Sequence, residues 1–569
     1  MNYLQFMLII VIQVGKGCES QPDFQLLSAV IQNIVIGALE PNAITLEIIT
    51  NYSNSENQKL NTDLVEEILN INTKTEKPIP IILNPPWDSL MDDRLKVRLL
   101  MVQRAEDVRL DLDGSVKYYR SLKSVLTTTP KYVVIFTSYQ FNEMERIFQL
   151  LFDAYILDVI IVMPHTNQVQ IFTYFPYHSN RGCSNVLPVL VYTTDGFEKQ
   201  QPITYDTIFP RKTLNFHQCP IRVVVWNTPP YIDIIGDPTG TVSLQGFDAS
   251  ILDILSKELN FSVEVVPNDP PKIISGVVYP NGTAAGVFKM LQQQRLNLTI
   301  GWISCMLNRL EVSTGSNAYF TDHYVIILKN NIMVTPNELL LRPFTKSTWR
   351  VLICVAIVKI ALLRMIRKHK IKFHSILLLA WLYFLFFFRV GYEGVMNHVI
   401  THPPYQPLPQ TIEEFIEQNF TLFADDSTNR ILDFIPHLKE ISHVIHCNPL
   451  ELLEQLDSLP PKFGIISTEA YIGHFMKMHM ENRSDYSILE EIILTGVNCI
   501  YYPRGSFLAP VVDDILDWLS NSGIRDKLVK EIGMENVPHS TAVLRQFVYG
   551  GKHFKLNFNF LQIVFKTLH

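Results

Sequence analysis

A chain of 569 residues is too long for one hydrophobic core and predicts two to four domains. Its net charge of −7, with no long basic arm, excludes a general nucleic-acid binder. A hydrophobic content of 47% is high for a soluble protein and too low for a many-helix transporter, which leaves a few membrane segments joined to large folded domains.

The first residues, "MNYLQFMLIIVIQVGKGCES", run apolar from Tyr3 to Val14 and then turn small and polar, the pattern of a secretory signal over residues 1–18. Residues 19–215 follow as an α/β amino-terminal domain. "TLEIIT", "IPIIL", "KYVVIF" and "DVIIVM" are apolar runs of strand length, and "FNEMERIFQLLFDAYIL" carries apolar residues at helical spacing. Alternation of this kind predicts a parallel sheet. "RLDLDGSV" at 109–116 has an Asp-x-Asp-Gly pattern known from phosphatase nucleophiles, but no buried strand precedes it, so it reads as a solvated turn.

A second α/β pattern spans 216–342: strand "IRVVVW", a break at "NTPPY", helix "GFDASILDILSKELN", strand "FSVEVV", helix "AGVFKMLQQQRL" and strand "NLTIGWIS". Two apolar segments come next, 343–363 and 374–400, expected as transmembrane helices. Between them, 364–373 carries Arg364, Arg367, Lys368, Lys370 and Lys372 and is expected as a short basic cytoplasmic loop. That places both flanking blocks outside the cell, at the plasma membrane. Five sequons agree with this topology, at Asn260, Asn281, Asn297, Asn419 and Asn482, on both sides of the hairpin and none within it. The α/β pattern resumes over 401–550, ending with the amphipathic "GSFLAPVVDDILDWLSNSGI".

No two of the seven cysteines form a C-x-x-C pair, which excludes a zinc ribbon or a thioredoxin-type site, and no metal or cofactor is expected. Cys305 reads as a core thiol. Cys183, Cys219, Cys447 and Cys499 are the disulfide candidates, with Cys183–Cys219 and Cys447–Cys499 as one pairing among those the sequence leaves open. No G-x-S-x-G, H-E-x-x-H, Walker-type or G-x-G-x-x-G stretch is present, so an enzyme is not expected.

"IRVVVWNTPPYIDI", "LQGFDASILDILSKELNFSVEVV" and "NLTIGWISCMLNRLEVSTGSNAYF" resemble, in that order, the first ligand-binding segment of ionotropic glutamate receptors, and most of all their divergent insect chemosensory branch. "RVGYEGVMNHVIT" resembles the family's third membrane helix, and "CIYYPRGSFLAPVVDDILDWLSNSGIRDKL" the end of its second ligand-binding segment. The resemblance covers about residues 216–550. It implies a bilobed clamshell, like a periplasmic binding protein, that closes on an amino-acid-like ligand and gates a cation channel assembled as a hetero-tetramer with co-receptor subunits. By the same resemblance Arg309 anchors a ligand carboxylate, for which a planar guanidinium is suited, and Ser304 assists it. Ser427 and Thr428, at a helix start, take a second acidic group, and Glu469 stands one residue from the position that meets the ligand's ammonium.

The chain also departs from that family. Only the basic hinge occupies the interval where members place a pore loop and a further membrane segment, and residues 555–569 read as a truncated final helix. The alternative expectation is therefore a non-conducting, membrane-anchored ligand-binding or co-receptor subunit.

Overall fold

A computed structural model describes residues 22–39, 45–50, 55–73, 78–84, 96–122, 131–136, 141–165, 168–178, 182–194, 203–236, 242–267, 276–329, 340–341, 343–369, 374–401, 408–459, 462–479 and 486–534. The expected signal segment, Asn482 and the expected final helix lie outside them. The fold is mixed α/β, and the chain divides into two units: Met1–Thr321 with Val497–Leu528, and Asp322–Gly496 with Val529–His569.

The first unit holds two sheets. The larger has seven strands in the order Ile81–Leu83, Thr45–Ile49, Lys96–Val102, Lys131–Phe136, Val159–His165, Gln168–Thr173 and Val189–Thr193. The first five run parallel and the last two are added antiparallel. Side chains alternate across it: Leu99, Met101, Val133 and Ile135 pack beneath helices Pro22–Asn33 and Ser55–Asn72. Leu100, Val102, Val134 and Phe136 pack beneath Ala105–Leu122 and Phe141–Asp153. Both faces are covered, which is why these strands read as unbroken apolar runs.

One expectation fails here. The Asp-x-Asp-Gly stretch is no solvated turn but part of helix Ala105–Leu122, and Asp111 is fully buried. Its carboxylate lies 3.6 Å from Arg98 Nη1 and accepts from Tyr132 Oη at 3.3 Å, while Arg98 Nε donates to Glu47 at 2.8 Å. Glu47, Arg98 and Tyr132 are cross-strand neighbours on three adjacent strands, so the helix delivers Asp111 onto a row of polar groups within the core. Helical period, not turn chemistry, decided its fate: Ala105, Val108 and Leu112 face the sheet on the same side.

The second sheet of this unit has five strands in the order Ser262–Val265, Pro220–Val224, Leu298–Thr299, Tyr501–Tyr502 and Thr314–Gly315. Tyr501–Tyr502 belongs to the returning chain and pairs antiparallel with both of its neighbours. The pattern interrupted after residue 321 is thus completed by residues beyond 496.

The second unit centres on a six-stranded sheet. Ser442–Ile445, Thr421–Asp425 and Phe463–Thr468 are parallel, Phe320–Lys329 runs against them, and Tyr486–Ile488 and Leu494–Asn498 pair with Phe320–Lys329. Two long helices, Lys346–His369 and His374–Thr401, also belong to it. Helix continues through Arg364, Arg367 and Lys368, so most of the expected basic loop is helical and only residues 370–373 separate the two helices. Apolar side chains such as Ile353, Ile357, Leu382 and Phe386 are exposed along both. Among the described residues one stretch, Leu378–His398, is long and apolar enough to cross a membrane. Lys359, the charge that interrupts the first apolar run, sits 4.3 Å over the ring of Trp381 on the second helix, a cation–π contact that gives the ammonium a partner without water.

Candidate functional site

In the first unit the sequence brings Arg309 and Ser304 together. Arg309 lies in the short helix Leu307–Leu310 and is half-buried. Its Nη1 donates to the Ser304 carbonyl at 2.7 Å, and its guanidinium carbon is 5.2 Å from the ring centroid of buried Phe288. Tyr501, on the returning strand, donates its hydroxyl to the same carbonyl at 2.9 Å and accepts from Met306 N at 3.1 Å. Burial pushes the Tyr501 phenol up, against the opposing effect of the Arg309 charge. The guanidinium is therefore braced at one nitrogen and held over an aromatic face. A braced fork loses little freedom when it takes an anion, which suits it to carboxylate recognition.

Ser316 ties this region to the return strand: its N–H donates to Ile500 O at 2.8 Å and its Oγ accepts from Ile500 N at 2.9 Å. Against the Trp302 backbone, 54 residues away in sequence, lies a buried acid that sequence reasoning passed over. Asp248, at the start of helix Phe247–Glu258, is fully buried. It accepts from Trp302 N at 2.8 Å and Tyr319 Oη at 2.9 Å. Burial raises its pKa to about 7, the two hydrogen bonds opposing. Gly246 makes the approach possible. It turns at φ +112°, and a Cβ there would sit 2.5 Å from Tyr231 O.

The second unit disposes of its candidates differently. Ser427 and Thr428 do open a helix, Asp426–Ile431, directly after strand Thr421–Asp425. Their amides are not open to an incoming anion, because Asp425 caps the helix: its carboxylate accepts from Ser427 N at 2.8 Å and Thr428 N at 3.3 Å, and Thr428 Oγ1 donates to it as well. Burial raises the Asp425 pKa, with those hydrogen bonds opposing. Glu469 is not on a strand. Strand Phe463–Thr468 ends one residue earlier, and Glu469 is the buried first residue of helix Glu469–Met478. That helix start also meets a carboxylate of the protein, since Ala470 N donates to buried Asp322 at 3.3 Å. Strands Thr421–Asp425 and Phe463–Thr468 are parallel neighbours, so both helices begin at one carboxyl edge of the sheet, the usual place for a site in an open α/β sheet. The missed signal at Asp425 was its own position: an Asp immediately before a helix is the standard N-cap.

Cys183 pairs with Cys219, their Cα atoms 5.5 Å apart. Cys499 pairs with Cys305 and not with Cys447, which is free. The reason is register: Cys305 N donates to Val497 O and Cys499 N to Ile303 O, so 303–305 and 497–499 run antiparallel with the two sulfurs adjacent. Cys305 is thus no core thiol. Of the sequons, Asn281 and Asn419 are exposed. Asn260 and Asn297 are half-buried, and the Asn260 side-chain nitrogen, the atom a glycan joins, already donates to Asn215 at 2.9 Å. No group of three or more metal-ligating side chains comes together among the described residues.

Residues 19–215 match the family model described as "Putative ionotropic receptor, ligand binding domain". Over those residues the chain is ionotropic-receptor-like. The match falls on the seven-stranded sheet and its helices, the region read above as an amino-terminal domain, and not on the 216–550 stretch that carries the glutamate-receptor resemblance. No curated protein sequence matches the chain. Similar solved structures include the Mnemiopsis leidyi iGluR ligand-binding domain with D-serine, at 11% identity and TM-score 0.36, covering 55% of this chain and 97% of that one. The Pleurobrachia bachei iGluR3 ligand-binding domain with glycine is 13% identical, at TM-score 0.35 and coverages of 56% and 98%. Drosophila muscle GluRIIB with glutamate is 10% identical, at TM-score 0.37 and coverages of 56% and 100%.

Proposed function

We propose that this chain is a chemosensory ionotropic receptor subunit of the ligand-gated cation channel family, at the plasma membrane, with a small carboxylate-bearing ligand held by Arg309. The observation that carries the ligand class is the Arg309 geometry: a half-buried guanidinium over Phe288, braced by the Ser304 carbonyl. The family match over residues 19–215 supports the receptor reading, and the exposed apolar helices support a membrane anchor. Assembly with co-receptor subunits and glycosylation at Asn281 and Asn419 belong to the same proposal. Ser427, Thr428 and Glu469 remain in it as candidate contacts, with Asp425 as the group any ligand there would meet.

A second reading has its own observation. Helices Lys346–His369 and His374–Thr401 are separated only by residues 370–373, too few to form a re-entrant pore loop, which favours a membrane-anchored ligand-binding subunit that does not conduct.

The test is equilibrium binding of a panel of amino acids, simple carboxylates and their amides to the solubilised full chain. Carboxylates should bind and the matching amides should not, and Arg309→Ala should weaken binding by about 30-fold or more. Equal binding of acids and amides, or an unchanged Arg309→Ala variant, removes Arg309 from the site. Current recorded from the chain expressed alone and with co-receptors then separates a conducting from a non-conducting subunit.

A further inference from the structure

We propose that His178 and His217 form a binding site for a borderline divalent metal ion such as zinc, at the junction of the seven-stranded and five-stranded sheets of the first unit. His178 lies on the small hairpin formed by Tyr177–His178 and Gly182–Cys183, and His217 in the turn leading to strand Pro220–Val224. Both side chains are exposed, and their ring centroids are 6.0 Å apart with planes inclined by 36°.

That spacing lies between the tetrahedral and collinear limits for two imidazoles on one metal, so a small side-chain rotation closes it onto a shared ion. With zinc–nitrogen bonds of about 2.0–2.1 Å and a ring nitrogen roughly 1.1 Å from its centroid, two imidazoles on one tetrahedral zinc have centroids about 5 Å apart, rising to about 6.3 Å when collinear. The backbones that carry the rings are fixed on both sides of the pair. Tyr177 packs on buried Phe216 with centroids 4.5 Å apart, and Cys183 is bonded to Cys219. Three successive contacts, 177 to 216, 178 to 217 and 183 to 219, therefore join the hairpin to the turn, and the middle one is a pair of imidazoles. Neutral imidazole is a common zinc ligand, and holding two in place beforehand lowers the ordering cost of binding. With two protein ligands, water completes the coordination, so the site is open and exchangeable rather than structural. A metal there would clamp the junction of the two sheets from outside, as an effector separate from Arg309.

The test is zinc titration of the solubilised full chain at neutral pH in chelator-washed, phosphate-free buffer, by calorimetry. His178→Ala and His217→Ala should each remove the same single site or weaken it at least roughly tenfold, and the double variant should lose no more than either alone. Unchanged titrations, or losses that add in the double variant, overturn a shared site. Non-reducing peptide mapping checks that Cys183–Cys219 persists in each variant. Carbethoxylation of the unaltered chain gives a reading that needs no variant: zinc should protect His178 and His217 together, and protection of neither or of only one rejects the proposal.

Discussion

Arg309 in the first unit and the edge around Asp425 in the second use similar local structure to opposite electrostatic ends. Around Arg309 the chain supplies a cation and braces it with neutral groups, the Ser304 carbonyl and the Phe288 ring. At the other edge two helix starts, which in isolation would attract anions, are met by Asp425 and Asp322 from the protein itself. The lesson is that a Ser-Thr pair at a helix start marks an anion site only when the residue before it leaves the amides open. Here an aspartate closes them.

The largest effect is expected from removing the frame that sets Arg309 and Ser304 in place. Replacing Cys305 and Cys499 by Ala opens a cross-link between residues 194 apart in sequence, and should cost about 2–5 kcal/mol of stability. Thermal unfolding of the variant checks this; an unchanged Tm would show that the backbone pairing of 303–305 with 497–499 suffices.

Next comes pH. The Asp248 carboxyl holds its proton to about 7 in the folded chain, but ionises near 3.8 when exposed. Its contribution is fully present below the lower value and is lost as pH rises through the upper one, at a limiting slope of about 1.4 kcal/mol per pH unit. Asp248→Asn, which mimics the protonated form, should flatten that decline. Buried Lys212, with its pKa lowered to about 7 chiefly by desolvation, acts with the opposite sign and in a higher window, stability rising with pH above 7. Lys212→Met should flatten that second limb, so Tm profiles of the two variants should part on either side of neutrality.

Asp425→Ala should cost about 0.5–2 kcal/mol as a lost helix cap. It should also make the second unit responsive to anions: sulfate should recover part of the loss in the variant and do nothing comparable for the unaltered chain. Equal responses would erase the contrast between the two edges. Tyr501→Phe is the gentlest change, removing one hydroxyl that serves Ser304 O and Met306 N. A loss of about 0.5–1.5 kcal/mol is expected, with weaker binding of any carboxylate ligand if the Ser304 carbonyl must stay in place to brace Arg309.

The sheets were legible wherever burial left a periodic mark. "KYVVIF" and "DVIIVM" read as strands because both of their faces are covered, and the resumption of α/β pattern after the apolar helices reflects the second unit's six-stranded sheet and then the return of Tyr501–Tyr502 to the five-stranded one. Arg309 and Ser304 stood out only through the resemblance to the receptor family, not through any local spacing. What depends on tertiary register was not legible. Cys305 faces Cys499 only because 303–305 pairs with 497–499, a relation no local spacing records. Asp111 read as part of a solvated turn and Asp248 carried no local mark, since the groups that receive them, Arg98, Tyr132 and Tyr319, are brought from distant strands and loops. Glu469 follows a strand that ends at Thr468, and that one-residue step exchanges alternating faces for a helix terminus.

The position of Tyr501–Tyr502 has a consequence for biosynthesis. This strand stands between Leu298–Thr299 and Thr314–Gly315 and is the partner of both. During vectorial synthesis the ribosome delivers residues 220–315 well before it, and the two apolar helices emerge in the interval. The first unit must wait half-assembled, with Thr314–Gly315 lacking its neighbour and Cys305 lacking its mate, until the two apolar helices have left the exit tunnel. A chain released early, at residue 496, would therefore strand the first unit as well as the second, and the nascent protein should depend on chaperones throughout that delay.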